Sequence, residues 1–351
     1  MSSLCLAFVV IFDRLMVADC YRNRPDHAWL VSSLAGSVFG LVATAGGWVI
    51  ITITTDTTMG SLVTTAGSLW PSRGSLMVLS GALAIQVTRH YFRLFAPTDG
   101  AAPVNETAIA MWLASTPIFI YVAVAALQVS GLDRGVLTGL DEANVSWTFG
   151  LLVLATVAAL LRFEAVSTDD ENGTALTHFT QVALLLATTV AYTVILSAVL
   201  LPAGTDLEAA MALLPLYWVG FAAGGRILLV AHERSDFRRN WRRVKRFIIP
   251  IAVAEVFGMA MFFSEFLALG TADPTLVNLI ISAHVLLVFL IVLRLVHIRE
   301  SMEEAGVRRR WFLGVRLVQR RLPERVSPIK PQLIWLSASM IGLVSASLLA
   351  G

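Results

Sequence analysis

The stretch FIIPIAVAEVFGMAMFFSEFLALG at residues 247–270 is followed, after the short break TADP, by TLVNLIISAHVLLVFLIVLRLVHIRE at residues 275–300. Each segment is long enough to cross a hydrocarbon core of about 30 Å at about 1.5 Å per residue. The break is too short to hold a domain, so the two segments are predicted to form an antiparallel helical hairpin inside a membrane. The first contains a carboxylate, Glu255, and the second an imidazole, His284. Ionisable groups at bilayer depth usually face a protein interior or a watered cavity, because a charge there costs at least about 2.5–3.5 kcal/mol.

The composition of the 351-residue chain is typical of a polytopic membrane protein. Charged residues make up 14% and hydrophobic residues 57%, whereas an ordinary soluble domain has about 25% charged residues. The basic residues lie in short loops between apolar segments, which argues against nucleic-acid binding. Cys5 and Cys20 would lie about 22 Å apart along a helix and cannot bridge each other. Because metal-ligand spacings and catalytic motifs are missing from the sequence, no cofactor and no enzymatic activity are expected.

Hydropathy and helix-breaking residues divide the chain into ten predicted spans. Residues 1–19 lack the basic start of a signal peptide, and Asp13-Arg14, which we expect to be a structural pair, interrupts their apolar run. This segment is therefore expected to stay as a first membrane helix. The Thr/Ser/Gly-rich stretch 55–73 predicts a loop or an interfacial segment, and the Arg-rich loop 298–331 is predicted to lie on the membrane surface. The ten spans lie near residues 3–19, 28–54, 75–96, 107–131, 146–165, 176–201, 208–231, 247–269, 275–297 and 332–350.

The two halves of the chain, residues 1–165 and 166–351, have a weak internal similarity. Aligning them sets Gln86 of the third span opposite Glu255 of the eighth. Five helices is an odd number, so two such repeats must be inverted relative to each other in the membrane. The predicted fold is therefore all-α and integral to the membrane, with ten transmembrane helices in two inverted five-helix repeats. The second repeat carries a basic interfacial insertion at about 301–330.

Four places share features with one family of membrane proteins, and one of them is Arg299-Glu300, which falls near where many members have Gly-Glu after the ninth helix, although the Gly is absent here. The first span ends IFDRLMV (11–17), similar to the acidic-then-basic pair that closes the first helix in some members. The connection between the eighth and ninth spans (262–295) looks like the family's helix–turn–helix unit, and the last span, WLSASMIGLVSASLLAG (335–351), like its closing helix of small residues. These features resemble the drug/metabolite transporter superfamily, specifically its EamA-like permeases. The basic insertion at 301–330 departs from the family pattern.

The resemblance implies a multi-pass permease of the cytoplasmic membrane that moves a small organic metabolite. Its central cavity would be lined by spans 1, 3, 4, 6, 8 and 9 and opened alternately to each side by rocking of the repeats. Its partners would be the lipid bilayer and a small-molecule substrate, and a homodimer is compatible with this architecture. The basic loops at 22–24, 234–246 and 299–325 fall on one side of ten spans, which the positive-inside rule makes cytoplasmic. Both termini would then lie outside, whereas the family usually places them inside.

Two residues carry the sharpest functional hypotheses. Glu255 lies about two turns into the eighth span, with Gly258 and Met259 on its face. A carboxylate in such a place can load and release a proton as access alternates, so Glu255 is the predicted proton-coupling residue. The alternative is a structural carboxylate paired with a neighbouring Arg or Ser. His284 is either a cavity residue or a hydrogen-bonded core histidine.

Four further polar residues complete the predicted substrate cavity. Gln86 belongs to a polar stripe of the third span, and Gln181 and Tyr192 share a narrow arc of the sixth. Each of these side chains lines the cavity or bonds to a neighbouring helix. Asn278 lies 120° around the ninth span from His284 and is expected to bond across helices. The substrate-cavity set is therefore Gln86, Gln181, Tyr192, Glu255, Asn278 and His284.

Transport is the predicted function, and two other classes stay open. One is an intramembrane transferase or hydrolase that uses Glu255, His284 and the acidic loop 169–171. The other is a membrane sensor or scaffold without transport. Transport predicts flux in proteoliposomes that depends on Glu255, an enzyme predicts product formation in detergent, and a scaffold predicts neither.

Overall fold

Helices account for almost all of the residues that the structure, a computed structural model, describes. These residues are 2–21, 25–70, 72–95, 115–129, 174–200, 207–231, 245–270 and 274–282, with isolated positions at 109, 113 and 241, others from 284 to 298, and 311, 312, 315 and 316. The helices are α1 (Ser2–Asp19), α2 (Pro25–Thr54), α3 (Met59–Ser68), α4 (Ser72–Leu94), α5 (Thr116–Val129), α6 (Thr174–Leu200), α7 (Leu207–Ala231), α8 (Ile248–Leu269) and α9 (Pro274–Ser282). A 3-10 turn at Lys245–Phe247 leads into α8.

The helix boundaries follow the apolar segments of the sequence. Six predicted spans correspond to α1, α2, α4, α6, α7 and α8, and the spans near 107–131 and 275–297 are described in part, as α5 and α9. The predicted spans at 146–165 and 332–350 lie outside the described residues. Because the helix bounds agree to within a few residues, each described helix can be assigned its place in the predicted order.

Three of the described helices are long and apolar enough to cross a membrane. They contain the segments His27–Thr54, Thr180–Leu200 and Ile248–Leu269. Their outward side chains are apolar as well: Val38 and Ile53 of α2 are 61% and 77% exposed. Contiguous apolar surface of this kind is unfavourable in water, and it indicates association with a membrane.

The stretch 55–73 is not simply a loop, since its middle forms α3. Thr58 and Ser61 cap this helix reciprocally: the Ser61 N–H donates to Thr58 Oγ1 at 3.1 Å, and the Thr58 N–H donates to Ser61 Oγ at 3.2 Å. This capping box satisfies two otherwise unpaired backbone donors and fixes where the helix begins. The prediction of a loop is therefore wrong, while the interfacial position of the segment stays a prediction.

A short hairpin lies within the basic insertion. Strand β1 (Trp311–Phe312) pairs antiparallel with β2 (Val315–Arg316), and β2 lies against α1. The rest of the insertion lies outside the described residues, so its place on the membrane surface stays a prediction.

The helices pack in crossed sets that join the two halves of the chain. α4, from the first half, packs against α6 and α7 of the second half. α8, from the second half, packs against α1 and α2 of the first half. The α4–α7 contact is backbone on backbone, because a Cβ at Gly81 would overlap the Tyr217 carbonyl and one at Gly220 would overlap the Val78 carbonyl. Glycine at both positions permits this close approach. α8 and α9 touch mainly near their connection, and α9 packs chiefly against α5.

Candidate binding cavity

A cavity of about 250 Å³ lies among the described helices. It is close to the lower end of the range of small-molecule sites, about 300–1,000 Å³. Residues of α1, α2 and α4 to α9 line it, so helices from both halves of the chain contribute. The position of this cavity determines which of the polar side chains inside the helices could meet a ligand.

Glu255 lines the cavity from α8, together with Gly258 and Met259 on the same face. The Ser32 hydroxyl of α2 donates a hydrogen bond to Glu255 Oε1 at 2.8 Å. The other carboxylate oxygen, Oε2, lies close to Gly36, where an added Cβ would be 3.3 Å away. One oxygen of this buried carboxylate is thus held by α2, and the glycine leaves room beside the second.

Asp13 is a second carboxylate in the cavity wall, at 5% exposure. Tyr91 of α4 lies beside it. The neighbouring Arg14 points elsewhere: its Nη1 donates to the Phe95 carbonyl oxygen at 3.1 Å, and its guanidinium lies 6.0 Å from the centre of the Phe95 ring. Consecutive helical residues are about 100° apart, which explains the separation. The two residues therefore divide their contacts, with Asp13 lining the cavity and Arg14 bonding next to the end of α4, while a structural role for the pair stays a prediction.

Glu265 is a third carboxylate in the wall, and the sequence reasoning missed it. It is 9% exposed, and none of the described groups donates a hydrogen bond to it. Glu265 follows Gly258 by seven residues, which places the two on one face of α8. That spacing was the available signal. Glu255 and Glu265 are ten residues apart, about 15 Å along the helix, so the cavity extends over much of α8.

His284 lines the cavity and is 1% exposed. Its Nδ1 lies 2.9 Å from the Ile281 carbonyl oxygen. A carbonyl only accepts, so Nδ1 carries the proton, and in the neutral ring Nε2 has a free lone pair. Nε2 is buried and has no hydrogen-bond partner among the described residues. One nitrogen of His284 is therefore anchored to the backbone while the other is unused.

Asn278 also lines the cavity, but its hydrogen bond differs from the prediction. Its Nδ2 donates to the Pro274 carbonyl oxygen at 3.0 Å, within α9, and not to another helix. The prediction of a bond across helices is wrong because a carbonyl four residues earlier is within reach of a short amide side chain. The amide oxygen stays free to accept.

Tyr192 belongs to an aromatic part of the wall. Its hydroxyl interacts with that of Tyr217, from α7. The Tyr217 ring stacks on Phe262 at a centroid distance of 4.7 Å, and Trp218 lies 4.9 Å from the same ring. The Trp218 ring is also bonded to α2, since its Nε1 donates to Thr44 Oγ1 at 3.0 Å. These rings form a rigid apolar surface beside the carboxylates.

Gln86 and Gln181 are not among the described residues that line the cavity. Gln181 Oε1 lies 3.3 Å from His90 Nδ1, so it joins α6 to α4. The structure thus brings four of the six predicted cavity residues together, namely Tyr192, Glu255, Asn278 and His284. For Gln181 the interhelical alternative describes the position, whereas no hydrogen bond of Gln86 is found among the described residues.

Within the described residues no group of three or more His, Cys, Asp or Glu side chains is arranged to hold a metal ion. The three cavity carboxylates come from separate positions along the wall. The arrangement is suited to binding and proton exchange.

Comparison of the chain with protein-family models, curated proteins and solved structures finds no match. The geometry of the cavity therefore carries the functional argument.

Proposed function

We propose that this protein is a multi-pass transporter of the cytoplasmic membrane that moves a small organic molecule by alternating access. The observation that carries the proposal is the cavity, which is lined by helices of both halves and holds three carboxylates behind apolar outer surfaces. Buried ionisable groups at membrane depth are costly, and they typically mark a substrate or proton pathway.

The helix contacts support two inverted five-helix repeats. If the two halves are equivalent repeats, α4 corresponds to α8, α6 corresponds to α1 and α7 corresponds to α2. These contacts follow that correspondence: α4 packs against α6 and α7, and α8 packs against α1 and α2. The contact of α5 with α6 likewise corresponds to that of α9 with α1. The contact of α2 with α4 does not follow it, because the described residues of α7 and α8 have no contact of similar extent. A transporter built from inverted repeats has this cross-pairing, with its site between the repeats.

The paired contacts differ in closeness, as alternating access requires. The α4–α7 contact is closed by Gly81 and Gly220 with backbone touching backbone. Its counterpart between α2 and α8 includes the cavity itself, where Ser32 reaches Glu255. In the opposite state of the transporter the α2–α8 contact would close and the α4–α7 contact would open.

The cavity also fits the EamA-like resemblance. The six spans that the resemblance assigns to the cavity correspond to α1, α4, α5, α6, α8 and α9, and each contributes lining residues. We therefore retain the EamA-like permease as the proposed family. Glu255 is the proposed proton-coupling residue, because it is a buried carboxylate that faces the cavity and is held through one oxygen only.

Flux through purified protein in proteoliposomes tests the proposal. A panel of radiolabelled amines, amino acids and monocarboxylates is offered with an imposed pH gradient. At least one compound is expected to accumulate, and Glu255→Gln should reduce that accumulation tenfold or more. Glu208→Gln is the matched control, since Glu208 lies at the start of α7, is bonded to Thr57 and does not line the cavity.

Two outcomes would contradict transport. One is accumulation that the Glu255→Gln change leaves intact. The other is chemical conversion of a panel compound by protein in detergent with no flux in vesicles, which would favour the intramembrane enzyme.

A further inference from the structure

Most polar groups of the cavity wall whose hydrogen bonds are described offer acceptors to a ligand, while the hydroxyls of Tyr91 and Thr116 also line the wall and have no hydrogen-bond partner among the described residues. Ser32 donates its proton to Glu255. Three other wall hydroxyls donate to carbonyls of their own helices at 2.7–2.8 Å: Thr88 to Ala84, Thr189 to Leu185 and Ser282 to Asn278. Asn278 itself uses its amide N–H on Pro274. Because the donor groups of these side chains are already used within the protein, only their oxygen lone pairs are available to a ligand.

The carboxylates and the histidine of the cavity wall are hydrogen-bond acceptors as well. Asp13, Glu255 and Glu265 present acidic oxygens to the cavity. His284 also lines the cavity, and its buried Nε2 has no hydrogen-bond partner among the described residues because Nδ1 donates to the Ile281 carbonyl. An unpaired nitrogen in a side chain that is 1% exposed is costly, so a donor that reached it would be stabilised.

No lysine or arginine occurs among the described lining residues. An anionic ligand would therefore meet three carboxylates and no countercharge. The rest of the wall is aromatic: Tyr217, Trp218, Phe221 and Phe262 form one packed group along it. Aromatic faces attract cations through the ring quadrupole, and they also bury an apolar ligand body.

We propose that the cavity binds a protonated amine carried on an apolar body, with the ammonium N–H groups donating to one cavity carboxylate at a time and to His284 Nε2. This inference rests on the proposed transport function and names its substrate class.

Calorimetric titration of the purified protein in detergent tests this proposal with four probes of one shape. They are 4-phenylbutylamine, its N,N,N-trimethyl derivative, 4-phenylbutanol and 4-phenylbutyrate. We expect the primary amine to bind at least tenfold more tightly than the alcohol and the carboxylate, since the amine is positively charged and these two probes are not. The trimethylated probe keeps the charge but cannot donate a hydrogen bond, so it should bind more weakly than the primary amine.

The His284→Leu variant isolates the role of Nε2. It should lower affinity for the primary amine about tenfold, as expected for a hydrogen bond to a charged group, and leave affinity for the trimethylated probe unchanged. Retained binding of the trimethylated probe also shows that the variant is folded. His90→Leu is the matched control, because His90 bonds to Gln181 and does not line the cavity.

Three results would overturn the inference: no binding of the primary amine, equal binding of all four probes, or a His284→Leu variant that keeps the wild-type preference for the primary amine. These results can be told apart from a failure of the transport proposal. Amine binding in detergent without flux would contradict transport and leave the site standing. Flux of other panel compounds without amine binding would contradict only the substrate class.

Discussion

The buried carboxylate of Glu255 accepts a hydrogen bond at one oxygen, and no described residue donates to the other oxygen. Ser32 holds Oε1 at 2.8 Å, and Oε2 faces space that Gly36 keeps clear. An ammonium ion and a proton would compete for the same oxygens of this residue. That competition is the simplest physical basis for exchanging a cation against a proton.

The competition predicts the pH dependence of amine binding. Protons occupy the carboxylates as pH falls, so affinity for 4-phenylbutylamine should rise from pH 5.5 to pH 7.5, by at most about tenfold per unit for each proton displaced. Glu255→Gln should flatten the profile. Asp13 and Tyr21 act on Glu255 electrostatically; the other titratable groups that line the cavity are Tyr91, Tyr192, Tyr217, Glu265 and His284. Titration at three pH values checks the slope, and affinity that falls with rising pH would contradict the prediction.

Gly36 provides a second test at the residue scale. In Gly36→Ala the new Cβ would lie 3.3 Å from Glu255 Oε2 and 3.4 Å from the Phe221 ring. The carboxylate must shift by a few tenths of an ångström, so amine affinity should fall a few-fold with little change in melting temperature. Gly46→Ala is the control, because a Cβ there meets nothing within 4 Å. Equal affinity for the two variants would show that the space beside Oε2 is not used.

The sequence predicted Glu255 and His284 because an ionisable residue stands out in an apolar segment. Glu265 was missed although it stands out equally in the same apolar segment. The partner of Asn278 was also beyond prediction. The sequence does not show whether an asparagine in an apolar helix donates its hydrogen bond to a carbonyl of its own helix or to a neighbouring helix.

At the scale of elements, the α4–α7 contact brings the backbones of two helices together. Gly81 and Gly220 each face a backbone carbonyl of the other helix. There is no flexible side chain that could move aside for a larger residue at either position. This contact is the proposed closed gate.

Gly81→Ala and Gly220→Ala should therefore each destabilise the protein by about 1–3 kcal/mol or more, the usual cost of overpacking. Gly46→Ala should be neutral or slightly stabilising, because alanine favours the helix over glycine by about 0.5–1 kcal/mol. Melting temperatures of the purified variants in detergent measure the difference. A Gly81→Ala protein as stable as Gly46→Ala would mean that α4 and α7 are farther apart than described.

Helix positions were largely predictable from the sequence, because an apolar run of twenty residues has few alternatives. The short helix α3 was not, since Thr, Ser and Gly favour loops on average. There the capping box of Thr58 and Ser61 outweighs propensity. The hairpin Trp311–Arg316 lay equally beyond prediction, because two-residue strands have no periodicity to read.

At the scale of the whole molecule, the crossed contacts of α4 and α8 connect the repeat hypothesis to function. The weak similarity of the two halves suggested a repeat, but only coordinates reveal which helices meet. On the repeat hypothesis, the close α4–α7 contact and the more open α2–α8 contact would be one of two equivalent states. The account therefore requires that the cavity be reached from both sides of the membrane in turn.

Cysteine accessibility tests this requirement most directly, and no substrate has to be known. Thr88→Cys places a thiol in the cavity wall, and Val42→Cys places one on the outer apolar face, in a background with Cys5 and Cys20 replaced by alanine. A charged, membrane-impermeant thiol reagent is applied to one side or the other of vesicles that contain the protein. The account predicts that Thr88→Cys reacts from both sides and Val42→Cys from neither. Reaction of Thr88→Cys from one side only, or from neither, would contradict alternating access.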